Sequence, residues 1–314
     1  MLEDMSKAHL FPVNASTIET ARKITKSIYN HLSVLNLMRR EYTNGRELIQ
    51  PAITRFATNF ISLQCLFKYR KELRQMFTST AWVESNASST PAGIEITEII
   101  LNNTFWKDVE HILKVSEALV VVLRLADSEE KPAMGYVYEA MDRANEVIQK
   151  RFKNKDYELY WKIIDCRWEN QLHSALHAAT YYLNPSFVFS PTFSKHSEVM
   201  RDSRFGFGST AAIRNREKMS PDKWWDRFGN GIHELKKLAI RIFSQCISAS
   251  GCVRNWSIFK HIHSPKRNRL VHQRLNDLVL VHYNLKLRER DMLKRTGNAA
   301  SDPISLENIN ILVG

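Results

Sequence analysis

Pro51–Phe67 reads PAITRFATNFISLQCLF. Ile53, Phe56, Phe60, Leu63, Leu66 and Phe67 recur in it at three- and four-residue steps, the spacing that gathers side chains on one face of an α-helix. Pro51 suits a first helical turn, where its missing N–H needs no partner. The same stripe returns in Phe105–Leu125, Met134–Phe152, Tyr157–Leu183, Leu235–Ile247 and Leu270–Leu287. Strand signals are few: Val120-Val121-Val122 is β-prone but sits inside a longer helical pattern, so it reads as helix. The expected fold class is mainly α.

Breaks fall where turn chemistry puts them. Ser85–Gly93, SNASSTPAG, reads as a polar linker, Asn184-Pro185 ends the long helix before it, and Phe205–Ser209 is a second loop. The tail from Thr296 to Gly314 is polar and then weakly apolar. Ser220-Pro221 predicts a capped helix start with Asp222 in its first turn. Of the adjacent Trp224 and Trp225 that follow, one is expected in the core and the other over a neighbouring helix or a partner.

With 44% hydrophobic and 25% charged residues over 314 positions, the chain is long enough for one large or two moderate cores. No apolar run approaches the roughly 20 residues that span a bilayer, and Met1–Asn14 lacks the apolar core of a signal peptide, so neither membrane nor secretion is expected. Cys65, Cys166, Cys246 and Cys252 form no Cys-x-x-Cys pair and are expected to be buried, reduced thiols. There is no Gly-rich phosphate loop, no Gly-x-Ser-x-Gly elbow and no Cys/His nucleophile pattern, and no cofactor is expected.

Ser250–Ser257 reads SGCVRNWS, and Ile258–Arg290 continues IFKHIHSPKRNRLVHQRLNDLVLVHYNLKLRER. Upstream stand PAITRFATNF from Pro51, EKPAMGYVYEAMDRA from Glu130, RWENQLHSALHAATYYLNP from Arg167 and SPDKWW from Ser220. In this order the blocks resemble hAT-family DNA transposases of the type abundant in plants. The resemblance covers the chain from Met1 to about Arg290. In that family the block corresponding to SGCVRNWS carries a metal-binding Glu where this chain has Val253. Valine offers no lone pair to a divalent cation, and two-metal phosphodiester chemistry needs carboxylate oxygens, so the resemblance implies a protein that does not cut DNA. It further implies that the zinc finger and the two catalytic Asp motifs of the family would precede Met1. Asp127, Glu129, Glu130 and Asp165 lie in no motif resembling the missing acids.

By resemblance the fold is the helical insertion of an RNase H-like domain together with that domain's last helices. The expected organisation is an N-terminal helical segment (1–84), a helical insertion domain (85–190), a linker with a family-atypical deletion around RDSRFGFGSTAA (191–232), the hAT dimerisation region (233–296) and a tail (297–314). Dimerisation, with itself or with related transposase-like chains, is the activity the resemblance implies. The residues it nominates are Leu270, Leu275, Leu278, Val279, Val281 and Leu285, each of which could equally serve ordinary core packing. A rival reading comes from charge. Net charge is +12, and Arg254, Lys266, Arg267, Arg269 and Arg274 crowd a stretch with few acids, as a phosphate-tracking surface or a plain solvated face would.

Two further features point to scaffold as much as to chemistry. Arg55-Phe56 resembles the hAT Arg-Trp pair whose Trp stacks on an extruded base, but Phe56 also lies on the apolar stripe. His173 and His177 stand four apart and would share a helical face, as zinc ligands can, yet Ser174 occupies the place of a catalytic Glu and no metal is expected. A nuclear location follows from the resemblance alone.

Overall fold

The computed structural model of the protein describes residues 1–51, 57–127, 133–152, 157–188, 207, 209–245, 247–248, 256, 259, 262 and 271–295. Every regular element among these residues is helical, as the apolar periodicity predicts. They belong to two compact units, Met1–Val122 with Met141–His173, and Leu123–Ala140 with Ser174–Gly314.

In the first unit the chain forms α1 (Leu2–Met5), α2 (Pro12–Asn30), α3 (Leu32–Leu37), α4 (Ala57–Lys68), α5 (Arg70–Phe77), α6 (Thr80–Val83), α7 (Pro91–Leu101), most of α8 (Asn103–Ala126) and of α9 (Val137–Arg151), and α10 (Tyr157–Arg167). Helix α2 packs on α3, α4 and α7 and buries Ile18, Ala21, Ile24 and Ile28, one stripe of a helix with a polar opposite face. Phe60, Leu63 and Leu66 of the Pro51–Phe67 stripe are buried on α4, while Ile53 and Phe56 lie outside the described residues. The stretch from Ser85 to Gly93, expected as a linker, is a hydrogen-bonded turn that runs into α7. The Thr90 hydroxyl accepts from the Gly93 N–H at 3.0 Å and Pro91 takes the first helical position. A Cβ on Gly93 would come within 2.0 Å of the Ala87 carbonyl oxygen, so that close approach requires glycine.

Helix α10 is fastened to the start of the chain by side chains rather than by backbone. Phe11 and Tyr160 stack at 4.6 Å, the Tyr160 hydroxyl donates to Asn14 Oδ1 at 3.1 Å, and Asn14 Nδ2 donates to the Met5 carbonyl. Arg167 donates through Nε and Nη2 to both Asp4 oxygens at 2.8 and 2.9 Å. Beyond Arg167 the expected single helix over Tyr157–Leu183 does not continue. It widens into a π turn at Trp168–Leu172, passes through extended His173 and Ser174, and restarts as α11 (Ala175–Leu183). A widened last turn followed by an extended residue ends the hydrogen-bond ladder without any Gly or Pro to announce it.

The second unit contains α11, α12 (Pro185–Val188), α13 (Thr210–Asn215), α14 (Pro221–Phe228), α15 (His233–Phe243) and α16 (His272–Arg295). Two of these helices lie in the stretch expected as linker. The core is formed by Ala212, Trp224, Trp225, Ala239 and Phe243. Both tryptophans are buried, against the expectation that only one would be. They manage this from adjacent positions because their indoles leave α14 in different directions: Trp224 Nε1 donates to the Ala212 carbonyl at 3.0 Å and Trp225 Nε1 to the Leu183 carbonyl at 2.8 Å. Pro221 opens α14 as expected, but the Ser220 side chain makes no capping bond, and its carbonyl alone accepts from Trp224 N–H. Thr180 and Asn184, fully buried, donate to the carbonyls of Met134 and Gly135 and hold residues 133–136 against α11.

The Asp4 carboxyl is held well below the usual carboxylate range, first by the Arg167 guanidinium, with burial opposing and Lys7 assisting. Because the folded value is depressed, the contribution is present above the unfolded value of about 4 and lost as pH falls through the folded one. Arg167→Gln is expected to lower the thermal midpoint at neutral pH, with the gap to wild type closing as pH drops below about 4; thermal unfolding across that range checks it. In the second unit, Trp224→Phe leaves the buried Ala212 carbonyl without its donor and is expected to cost about 1–3 kcal/mol in denaturant titration.

Candidate dimerisation surface

Helix α16 is long, and two of its apolar lines can be told apart by burial; Leu280, 61% exposed, and half-buried Leu287 lie on neither. Leu275 is 1% exposed and forms a cluster with Ile262, against which Phe259, Val279 and Tyr283 pack. Leu275, Val279 and Tyr283 follow one another at four-residue steps, so they form one stripe facing the chain's own residues. Leu278, Val281 and Leu285 lie on a different line, with exposures of 47%, 55% and 59%. Val271, exposed at the N-terminal end of the helix, stands seven residues before Leu278 and extends that line.

This partition sorts the residues nominated from sequence. Leu275 has no surface to offer a partner, and Val279 is half-buried against Leu275 and Ile262, so both belong to the chain's own packing. Leu278, Val281 and Leu285 do present surface. Leu270 lies outside the described residues, as does Val253 at the position of the family's Glu. Of the basic residues, Arg274 is exposed on the first turn of α16, while Arg254, Lys266, Arg267 and Arg269 lie outside the described residues, as do Arg55 and Phe56. Sequence reading passed over Val271 as an interface residue and Ile262, Phe259 and Tyr283 as its counterweight. The seven-residue step from Val271 to Leu278 to Leu285 was the available signal for the first.

Among the described residues, the side chains capable of chemistry are dispersed. His173 is extended at the end of the π turn and His177 is in α11, so the two do not share a helical face. Among the described residues, no three His, Cys, Asp or Glu side chains come together to hold a metal ion. The Asp165 carboxyl on α10 is pushed up by burial and then by the charge of Glu169, and among the described residues no third ligand joins these two acids. Cys65 is buried and its thiol is pushed up by that burial, whereas Cys166 is exposed, contrary to expectation, because it falls on the outer face of α10. Among the described residues, no helix is long and apolar enough to cross a membrane.

The unit that closes its core around Trp224 and Trp225 thus also carries a long helix with an exposed apolar line. The hAT family C-terminal dimerisation region matches residues 192–285, from the segment before α13 to Leu285 on α16. Over that region the chain is similar to hAT transposase-like proteins, whose matching segment is a dimerisation region, and the match supports a role in dimerisation. No curated protein matches the chain.

The two stripes predict opposite outcomes for similar substitutions. Leu275→Ala removes a fully buried leucine from its small cluster and is expected to destabilise α16 by about 2 kcal/mol. Leu285→Ala removes an exposed side chain and is expected to leave the unfolding midpoint of isolated chains unchanged within about 0.5 kcal/mol while weakening association. Denaturant titration at low protein concentration, paired with sedimentation, separates the two.

Proposed function

We propose that this protein acts by self-association through the exposed apolar line of α16 and that it does not cut DNA. The observation that carries the first half is the coincidence of Leu278, Val281 and Leu285, exposed on one helix, with the end of the hAT dimerisation match. Single exposed apolar residues are ordinary on protein surfaces; three in helical register on an element matched to an assembly region are not. The second half rests on Val253, where the resembling family block has its metal-binding Glu. A side chain without oxygen cannot share in holding a pair of divalent ions. The helices around Trp224 would then belong to an RNase H-like domain, and the setting would be the nucleus, where DNA transposases act.

A partner subunit without an active site has a direct consequence. In a mixed dimer with a cutting-competent relative it would occupy the seat of a functional subunit and lower excision. The partner could be a second copy or such a relative; the surface serves both.

A second reading, nonspecific nucleic-acid binding, is favoured by one observation: Arg274, Lys286 and Arg288 are exposed on α16 in a chain of net charge +12. Charge attraction of this kind weakens steeply with salt, whereas apolar association does not. Light scattering across concentration at low and high salt is expected to give a salt-resistant dimer for the intact chain. Leu278→Asp with Val281→Asp is expected to give a folded monomer, with unchanged circular dichroism. A wild-type monomer at every concentration would overturn the self-association reading, and a salt-labile gel shift on arbitrary DNA would support the second.

A further inference from the structure

The exposed line on α16 also constrains how two copies meet. On a helix of 3.6 residues per turn, Val271, Arg274, Leu278, Val281 and Leu285 fall along one narrow seam, set roughly a third of a turn away from the stripe of Leu275, Val279 and Tyr283. Arg274 lies on the seam itself, between Val271 and Leu278. We infer, resting on the self-association reading, that the occupant of this seam is the same helix of a second copy running antiparallel, with the two-fold axis between Val281 and His282.

Charge decides the direction. In a parallel, in-register pair every seam residue meets its own copy, so Arg274 faces Arg274 of the second copy across an apolar seam, an unfavourable contact between like charges. Arg288 can reach Glu289 of the second copy in that arrangement, but the Arg274 pair remains. In the antiparallel pair the seam is nearly self-complementary about its centre. Leu278 falls opposite Leu285 of the second copy, Val281 beside its symmetry mate, and Val271 opposite Met292 of the second copy. Arg274 then falls opposite Glu289 of the second copy, and Arg288 shares a flank with its Asp277. Arg274, Asp277, Arg288 and Glu289 are all exposed and on the solvent side of the chain's own cluster. Two-fold symmetry makes each contact between unlike positions twice and the Val281 pair once, on the axis, as an isologous interface requires.

Charge reversal tests direction while leaving the apolar residues of the seam unchanged. Arg274→Glu is expected to weaken the dimer about tenfold by placing like charges opposite each other twice, an effect at the upper end for exposed pairs. Adding Glu289→Arg to it restores the opposite signs in the antiparallel arrangement and is expected to bring the dissociation constant back to within about threefold of wild type. In a parallel pair the double variant leaves Glu at position 274 facing its copy, and no rescue follows. A second readout uses crosslinking in a Cys166→Ser background, compared with that parent. Leu278→Cys mixed with Leu285→Cys is expected to form a mixed disulfide-linked dimer, since the two positions coincide only when the helices oppose. Preferential self-linking of Leu278→Cys, or failure of the charge rescue, overturns the antiparallel arrangement. A wild-type dimer indifferent to Arg274→Glu and to both cysteines places the interface elsewhere and leaves self-association standing; a wild-type monomer overturns both.

Discussion

A buried indole N–H must find an acceptor, and two of them on adjacent residues must find two different ones. Trp224 and Trp225 meet that demand by reaching the carbonyls of Ala212 and Leu183, one on α13 and one at the end of α11. An unsatisfied N–H in that core would cost about 1–3 kcal/mol, so the positions of α11 and α13 around α14 are set by hydrogen bonding as much as by apolar contact. Phe243 and Ala239 of α15 then complete the packing, and the Phe243 ring lies 2.8 Å from where a Cβ on Gly135 would stand. The chain accommodates so large an aromatic core by keeping its neighbours small: Ala212, Ala239, Gly135 and Gly229, whose Cβ would stand 2.9 Å from the Trp225 ring.

The helical class and most helix positions are legible in the sequence because apolar periodicity is a local property. Phe60, Leu63 and Leu66 announce α4 without help from any other part of the chain. What escapes is anything that depends on a distant partner. The interruption at His173 and Ser174 carries no Gly or Pro, and nothing in RWENQLHSALH distinguishes it from continuous helix. The double burial of Trp224 and Trp225 is legible only once Leu183 and Ala212 are seen beside them. The Asp4–Arg167 pair, 163 residues apart in sequence, has no local signature at all.

The same distinction governs α16. Its sequence contains the Leu275 line and the Leu278 line, with Leu280 and Leu287 on a third, and periodicity does not rank them. The position of Ile262 and Phe259 shows that the Leu275 line is already occupied, whereas Leu278, Val281 and Leu285 lie exposed in register. Nomination of the helix as a dimerisation element came from family resemblance; the choice of face came from burial.

The segment that matches the hAT dimerisation region is not a portable module. It begins at residue 192, yet the acceptor for Trp225 is the Leu183 carbonyl, and α11 is in turn tied through Thr180 and Asn184 to Met134 and Gly135. A fragment cut at the match boundary would keep both tryptophans while discarding one acceptor and the layer behind it. In such a fragment, loss of association would report a damaged core, not a missing interface, and a grafting or yeast-display design needs Leu123–Ala140 and Ser174 onward to carry the helix intact.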